Sequence, residues 1–282
     1  MGIIETATNP LGQTVPIHIS FILIWVAAIG GLAFLICHAI YVAFTAKKEV
    51  HAASYPAALV AKTPERVARH SLTARAFHWI MALAMFALLI TAFLPKVGYQ
   101  FPWVTYHWIA GLVLTASIVF HIFHASFWMD FWSIWPDKID LEDMKRRWLR
   151  ATGKSAPAPR RFAKYPMENK MYHGIIVLTG LAVIITGLFM MKRVRTPFFT
   201  RDPYLFGDMT WGLMYVLHGL AGVGLIALIM AHIYFALRPE KFVITKSMVF
   251  GSMPREYYLE HHDPERWTIP QVSSVGKVAN GD

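Results

Sequence analysis

Charge is scarce in this chain. Of its 282 residues, 16% are Asp, Glu, Lys or Arg and 56% are hydrophobic, and the mean hydropathy is +0.42. Soluble domains carry about a quarter charged residues, so this balance excludes one. Cysteine is almost missing as well, with Cys37 alone. An intrachain disulfide, a thiolate-held iron–sulfur cluster and a C-x-x-C-H attachment are therefore all excluded, and any such cluster has to sit on a partner. No basic residue precedes Lys47. The N-terminus thus lacks the charged head of a secretory signal, and its apolar run is too long for one, which predicts a retained helix. Segments of ~10 residues with alternating polarity, the mark of an outer-membrane barrel, are missing too.

What the chain does contain is five windows free of Asp, Glu, Lys and Arg: Thr6 to Ala46, Ala76 to Pro95, Val97 to Met129, Met171 to Met191 and Met209 to Leu237, each 20 residues or longer. Each can span ~30 Å of hydrocarbon as a helix. The expected fold class is all-α integral membrane, with five transmembrane helices. The expected divisions are an outer segment 1–18, an additional N-terminal transmembrane helix 19–46, a four-helix bundle 73–238 interrupted by a cytoplasmic loop 130–171, and a cytoplasmic tail 239–282.

The net charge of +10 does not point to nucleic acid, because the basic residues flank apolar helices and form no basic domain. Twenty-two lie in segments 47–75, 138–170 and 238–282, against five in 95–104 and 192–208. The positive-inside rule then puts both long loops and the C-terminus in the cytoplasm of a bacterial inner membrane. Lys192, Arg193, Arg195 and Arg201 dissent, and an acidic partner surface would account for them. Trp103, Trp108, Trp128, Trp132, Trp135 and Trp211 read as interfacial belts. The string D-L-E-D-M-K-R-R-W-L-R in the long loop reads as a surface helix on the membrane, and the last dozen residues as mobile.

Thirteen histidines are many for such a chain, and ionisable groups inside apolar spans are usually functional. His107 and His121 are 14 residues apart in the third window, as are His218 and His232 in the fifth. At ~100° per residue, 14 steps return to within about 40°, roughly 21 Å further along one face. The string H-W-I-A-G-L-V-L-T-A-S-I-V-F-H-I-F-H-A (107–125) aligns without gaps on H-G-L-A-G-V-G-L-I-A-L-I-M-A-H-I-Y-F-A (218–236). Gly111 and Gly222 follow their histidines by one turn, leaving room for a flat macrocycle. Hydrogen bonding between helices explains a lone membrane histidine well, but has no reason to recur at this spacing on two helices. Facing imidazoles at two depths suit two six-coordinate haems b, with His107 opposite His218 and, by this symmetry, His121 opposite His232.

R-A-F-H-W (75–79), H-W-I-A-G, L-H-G-L-A-G and H-I-Y-F-A together resemble the cytochrome b (gamma) subunits of respiratory formate dehydrogenases, whose relatives serve nickel–iron hydrogenases and thiosulfate reductase. The resemblance runs from about Thr73 to Trp267 and includes K-Y-P-M-E-N-K-M and R-E-Y-Y-L-E-H-H-D-P-E-R-W. It implies a four-helix bundle with two bis-histidine haems b, the outer on His107 and His218 and the inner on His78 and His232. It further implies an iron–sulfur partner, a catalytic dehydrogenase subunit, and a quinone (menaquinone or ubiquinone) reduced near the inner haem.

The chain departs from that pattern in its extra N-terminal helix, in His121, and in Pro166-Met167-Glu168-Asn169 where a polar Asn-x-Gly-Gln-type stretch is expected. His78 and His121 thus compete as the inner ligand, the motif favouring His78. Lys164, Tyr165, Glu168, Asn169 and Lys170 are the candidates for quinone headgroup contacts. His173, beside Tyr172, is a supporting group there; His38, His124 or His173 would be needed for any third haem, and His38 fits a hydrogen-bonded interface better. His261 and His262 read as a surface pair. The function expected is a di-haem membrane anchor passing electrons from an iron–sulfur partner to quinone, with substrate chemistry on another subunit. A desaturase-type di-iron enzyme and a proton-coupled transporter are the rivals; the first lacks clustered H-x-x-H-H boxes, the second an inverted repeat.

Overall fold

The computed structural model describes residues 2–45 and 56–269. In chain order the elements are β1 (Ile4–Thr8), β2 (Thr14–Ile19), α1 (Ile22–Thr45), α2 (Ala57–Lys62), β3 (Arg66–Ala68), α3 (Leu72–Phe93), α4 (Trp103–Trp128), α5 (Lys138–Ala151), α6 (Met167–Met190), α7 (Asp208–Leu237), α8 (Phe242–Phe250), β4 (Ser252–Pro254) and α9 (Arg255–His261). Among the described residues five helices, α1, α3, α4, α6 and α7, are long and apolar enough to cross a membrane. The fold is the helical bundle of five spans expected from the windows, with two small sheets added at its ends.

The first window divides. β1 and β2 pair antiparallel before α1 begins. Their β-branched Thr, Val and Ile favour extended backbone, and the turn is built by Asn9, whose Oδ1 accepts from the backbone N–H of Leu11 at 3.1 Å and Gln13 at 2.9 Å. Gly12 supplies the left-handed residue, with φ of 78°. β2 packs along the start of α7, whose 30 residues reach about 45 Å, well beyond the hydrocarbon thickness. Glycine makes that approach possible: a Cβ on Gly212 would lie 1.9 Å from the Pro16 carbonyl oxygen, and one on Gly219 2.9 Å from Ile19. Further along, α1 meets α7 through His38, whose Nδ1 lies 2.9 Å from the Tyr234 hydroxyl.

The remaining spans form the bundle, α3 against α4, α6 against α7, and α4 against α6. At the end where α4 and α7 finish, a second module closes over the bundle. β3 pairs antiparallel with β4, and Val67, Met253, Tyr258, Leu259 and Trp267 form its small buried core. α5 begins with a capping box of Asp137 and Asp140 and has an inverted polarity. Its inward face carries Asp140, 2.6 Å from Lys170, and Asp143, 3.2 Å from Arg160. Its outward face exposes Leu141, Met144 and Trp148, the arrangement of a helix resting on lipid.

Two expectations need correction, those for His262 and Trp211, and the tail adds structure of its own. The tail segment 239–269 is folded, tied down by Arg266, which reaches Asp137 and Asp140 at 2.9 Å each. His262 is not at the surface but 1% exposed, because its Nδ1 donates to the Ala163 carbonyl at 2.7 Å and Trp267 packs on it at 4.7 Å. Trp211 belongs to no interfacial belt; it is 1% exposed, and its indole N–H donates to the Pro203 carbonyl at 2.9 Å. The last dozen residues lie outside the described residues.

Candidate functional site

The histidines of the spans fall into facing pairs inside the bundle. His107 on α4 and His218 on α7 have ring centroids 6.2 Å apart. His78 on α3 and His232 on α7 are 6.4 Å apart. His121, the competitor of His78, instead lies flat on Phe77 at 4.2 Å and 6°, while His232 stacks on Tyr172 at 5.3 Å. His124 is stacked between Phe120 and Trp128, and His173 meets Trp135 at 5.5 Å. Among the described residues no three His, Cys, Asp or Glu side chains gather to hold a bare metal ion; the arrangement is pairwise.

Two threonines set the orientation of the His107 and His218 rings. Thr91 Oγ1 is 2.7 Å from the Ala87 carbonyl and 2.8 Å from His107 Nδ1. Thr186 repeats this with the Ala182 carbonyl at 2.5 Å and His218 Nδ1 at 2.9 Å. A hydroxyl has one hydrogen, which the helix carbonyl takes, so each threonine accepts from an Nδ1–H. That leaves both Nε2 atoms with a free lone pair, the state in which imidazole binds a metal.

A signal for these threonines does exist in the sequence. A-L-L-I-T (87–91) recurs as A-V-I-I-T (182–186), 95 residues on, and at the same offset Phe77-His78 becomes Tyr172-His173. The α4 to α7 repeat therefore extends to α3 and α6, and the bundle is two copies of one helical hairpin. Its contacts follow the repeat: Phe77 on His121 is matched by Tyr172 on His232, and Thr91 to His107 by Thr186 to His218.

Of the five candidate headgroup residues, the structure keeps only two together. Lys170 is 2% exposed and committed to Asp140; burial alone would raise the Asp140 carboxyl, but hydrogen bonds from Lys170 and Arg266 hold it below the usual carboxylate range. Glu168 is largely exposed and paired with Arg147 at 2.8 Å, and Asn169 is exposed. Lys164 and Tyr165 instead join a cationic cluster beneath His78. Arg69 donates through Nε to His70 Nε2 at 3.2 Å, through a terminal nitrogen to the Lys164 carbonyl at 3.1 Å, and lies 5.5 Å from the Tyr165 ring. Burial, with the Arg69 and Lys164 charges next, pushes the His70 imidazole down to about 3. Burial also lowers Lys164 and raises the Tyr165 phenol. Arg75 belongs to the same cluster, and its buried Nε has no partner.

These features fit haem b. One iron held in line between two imidazole nitrogens at about 2 Å puts the ring centroids roughly 6.3 Å apart, against 6.2 and 6.4 Å here. A Cβ on Gly222 would meet nothing within 4 Å, and one on Gly111 only Leu88 at 3.9 Å, which leaves space beside both helices. Arg69, Arg75 and Lys164 make no carboxylate ion pair among the described residues, so cationic donors remain for the two propionates of a haem.

A helical membrane bundle with imidazoles paired inside it defines a class, the membrane cytochromes b. The chain belongs to the prokaryotic cytochrome b561 family, which matches residues 69–251. No curated protein matches the chain. It is accordingly a multi-pass membrane protein of a haem b family whose members work with redox partners. The hairpin β1–β2, α1 and the segment from β4 onward lie outside the matched region.

Proposed function

We propose that this protein is the di-haem membrane anchor of a quinone-linked respiratory dehydrogenase of the formate dehydrogenase type. It would take electrons from an iron–sulfur partner at the outer face, itself fed by a catalytic dehydrogenase subunit, and deliver them to quinone at the cytoplasmic face. The observation carrying this reading is the pair of imidazole gaps, 6.2 and 6.4 Å, on histidines spaced 14 residues apart along α7.

His107 and His218 would hold the outer haem, and His78 and His232 the inner one. When bound, haem b supplies a one-electron carrier at each site. The chain's own work would be to leave the Nε2 atoms of His107 and His218 free for iron, through Thr91 and Thr186, and to exclude water from the electron path. Inner ligation by His78 is favoured over His121 because it is the His78 ring that faces His232, at 6.4 Å.

Electron entry from outside is supported by Lys192, Arg193, Arg195 and Arg201, four basic residues kept on the face where the positive-inside rule disfavours them. They suit an acidic donor surface. Quinone reduction at the other end is supported by the polar groups gathered with Arg69 and His70 beneath His78, including Lys164 and Tyr165. Each quinone takes two electrons and two protons, its two carbonyls becoming hydroxyls. With donor oxidation outside and proton uptake inside, turnover would charge the membrane.

The reading is tested on purified protein by haem extraction and reduced-minus-oxidised spectra. Two non-covalent haems b per chain, both low-spin, are expected. A count of none or one in fully loaded protein would overturn it.

A further inference from the structure

The two hairpins of the bundle differ by one hydroxyl at a place where it matters. Phe77 and Tyr172 are equivalent positions of the repeat, 95 residues apart, and each lies on a histidine of the facing helix, Phe77 on His121 and Tyr172 on His232. Of these two histidines it is His232 that faces a second imidazole, His78 at 6.4 Å. The Tyr172 hydroxyl donates to the Leu228 carbonyl at 3.3 Å, and Leu228 lies four residues before His232, one turn back along α7. A carbonyl oxygen has two lone pairs, so it can accept this bond beside the helical one. The phenol is thereby fixed at both ends, its backbone on α6 and its oxygen on α7, and its ring lies across His232 at 5.3 Å and 19°.

The outer imidazoles are oriented through Nδ1 by Thr91 and Thr186. The inner ones are held differently. His78 Nδ1 is buried without a partner, and the ring meets Trp79 edge-on at 5.1 Å and 88°. Trp79 is the next residue of the same helix, so that contact moves with the backbone of His78 itself. Tyr172 instead reaches His232 from another helix, and a flat ring in that place opposes rotation of the imidazole. The two inner planes stand at 49° and the two outer planes at 68°.

We propose that Tyr172 is the positioning residue of the inner haem site, fixing the plane of His232 with its stacked ring and fixing that ring with its hydroxyl. The proposal rests on the di-haem reading above and adds a residue to its inner site. Rotation of an imidazole about its bond to iron is soft, and its plane decides which iron d orbital the ligand π system meets. Two planes at a steep angle keep those orbitals close in energy and give ferric haem a large, anisotropic g value. Planes turned parallel separate the orbitals and lower it. A clamped ligand therefore gives the inner haem one electronic state and one potential, where a rotating ligand would give a spread. Phe77 lacks the hydroxyl and lies on His121, a ring with no iron to orient in this assignment.

The test is electron paramagnetic resonance of the full chain, haem-loaded and oxidised, in nanodiscs. Two low-spin ferric signals are expected, the larger g value from the outer pair with its steeper planes. Tyr172→Leu should shift and broaden the other signal and move the midpoint potential of that haem, with the outer signal unchanged. Retention of the inner haem after dilution should fall about tenfold in the same variant. Tyr172→Phe keeps the stacked ring, so its signal should stay in place but broaden through loss of the Leu228 bond. Phe77→Leu should change neither signal. A wild-type inner signal and potential in Tyr172→Leu would overturn the proposal, and so would equal disturbance of both haems, the mark of a general loosening. A shift in Phe77→Leu in place of Tyr172→Leu would overturn it too, by handing the inner iron to His121. If Tyr172→Leu does not fold, Tyr172→Phe decides, and an inner signal of wild-type width rejects the clamp. A wild-type protein with fewer than two haems would instead sink the di-haem reading, whatever Tyr172 does.

Discussion

Thr186 Oγ1 stands between the Ala182 carbonyl oxygen at 2.5 Å and His218 Nδ1 at 2.9 Å, and so fixes which nitrogen of the His218 ring carries hydrogen. Partners of this kind typically account for about 10–100-fold in metal affinity. Thr186→Val should weaken retention of one haem by that order, and Thr186→Ser should largely restore it. Haem content after dilution, measured as the pyridine complex, checks this; equal retention in all three proteins would show that the threonine does not act on the ligand.

The competition between His78 and His121 has a direct assay. His78→Ala should lose one haem or turn it high-spin while the His107 and His218 site stays low-spin. His121→Ala should leave both haems six-coordinate, because it is His78 that faces His232. A fully loaded, low-spin His78→Ala protein would reverse the assignment.

The Asp140 and Lys170 pair predicts an unequal response to losing either partner. Asp140→Leu strands Lys170, 2% exposed, without a counter-charge, which costs about 3–5 kcal/mol for a buried ion. Lys170→Met should cost less, since Arg266 still reaches Asp140 at 2.9 Å. The double variant should recover most of the loss. Denaturation of the purified protein in mild detergent measures all three.

Acid should release the module formed by β3, β4 and α9. Burial lowers the His262 imidazole to about 4, with the Arg69 charge adding to the effect, against about 6.5 in an unfolded chain. A depressed value means that the folded state favours the neutral ring. The stabilisation is complete above pH ~6.5 and is lost as pH falls toward 4. The groups facing His262 are Arg69, His261, Lys241, Tyr258 and Trp267. Hydrogen exchange at 252–262 should rise over that interval while α6 and α7 stay protected, and His262→Gln should flatten the dependence.

The hairpin contact can be probed at Gly212. A methyl group there would lie 1.9 Å from the Pro16 carbonyl oxygen, and overpacking of this kind costs about 1–3 kcal/mol. Gly212→Ala should leave α7 intact and make residues 4–19 susceptible to protease.

How far the sequence reveals all this depends on the physics behind each element. The spans were legible because five windows lack Asp, Glu, Lys and Arg, and lipid admits little else. The His107 and His218 pair was legible because imidazoles in hydrocarbon need a reason, and a 14-residue repeat supplied one. β1–β2 was hidden because Thr, Val and Ile are as apolar in a strand as in a helix, so the hairpin merged into the first window. Thr91 and Thr186 were hidden because a threonine in a span is commonplace; only the offset linking A-L-L-I-T to A-V-I-I-T marks them. The burial of His262 and Trp267 depends on contacts with residues about 100 and 200 positions away, at Ala163 and Val67, which no local pattern announces. Lys170 reads as a headgroup donor in the sequence because its partner Asp140 lies 30 residues earlier, across the loop.

The hairpin β1–β2 and α1 pack on α7, and β3 pairs with β4. α1 and β3, which emerge early from the ribosome, thus have partners among the last elements to be made. During synthesis the N-terminal span waits in the bilayer with its His38 unmet while four more spans are inserted, and the β3 segment waits for residues 252–254. Non-local closure of this kind comes late in folding. A chain that stalls before α7 would therefore display an uncovered hairpin and a lone apolar helix, so the last span is what closes the N-terminal part of the fold.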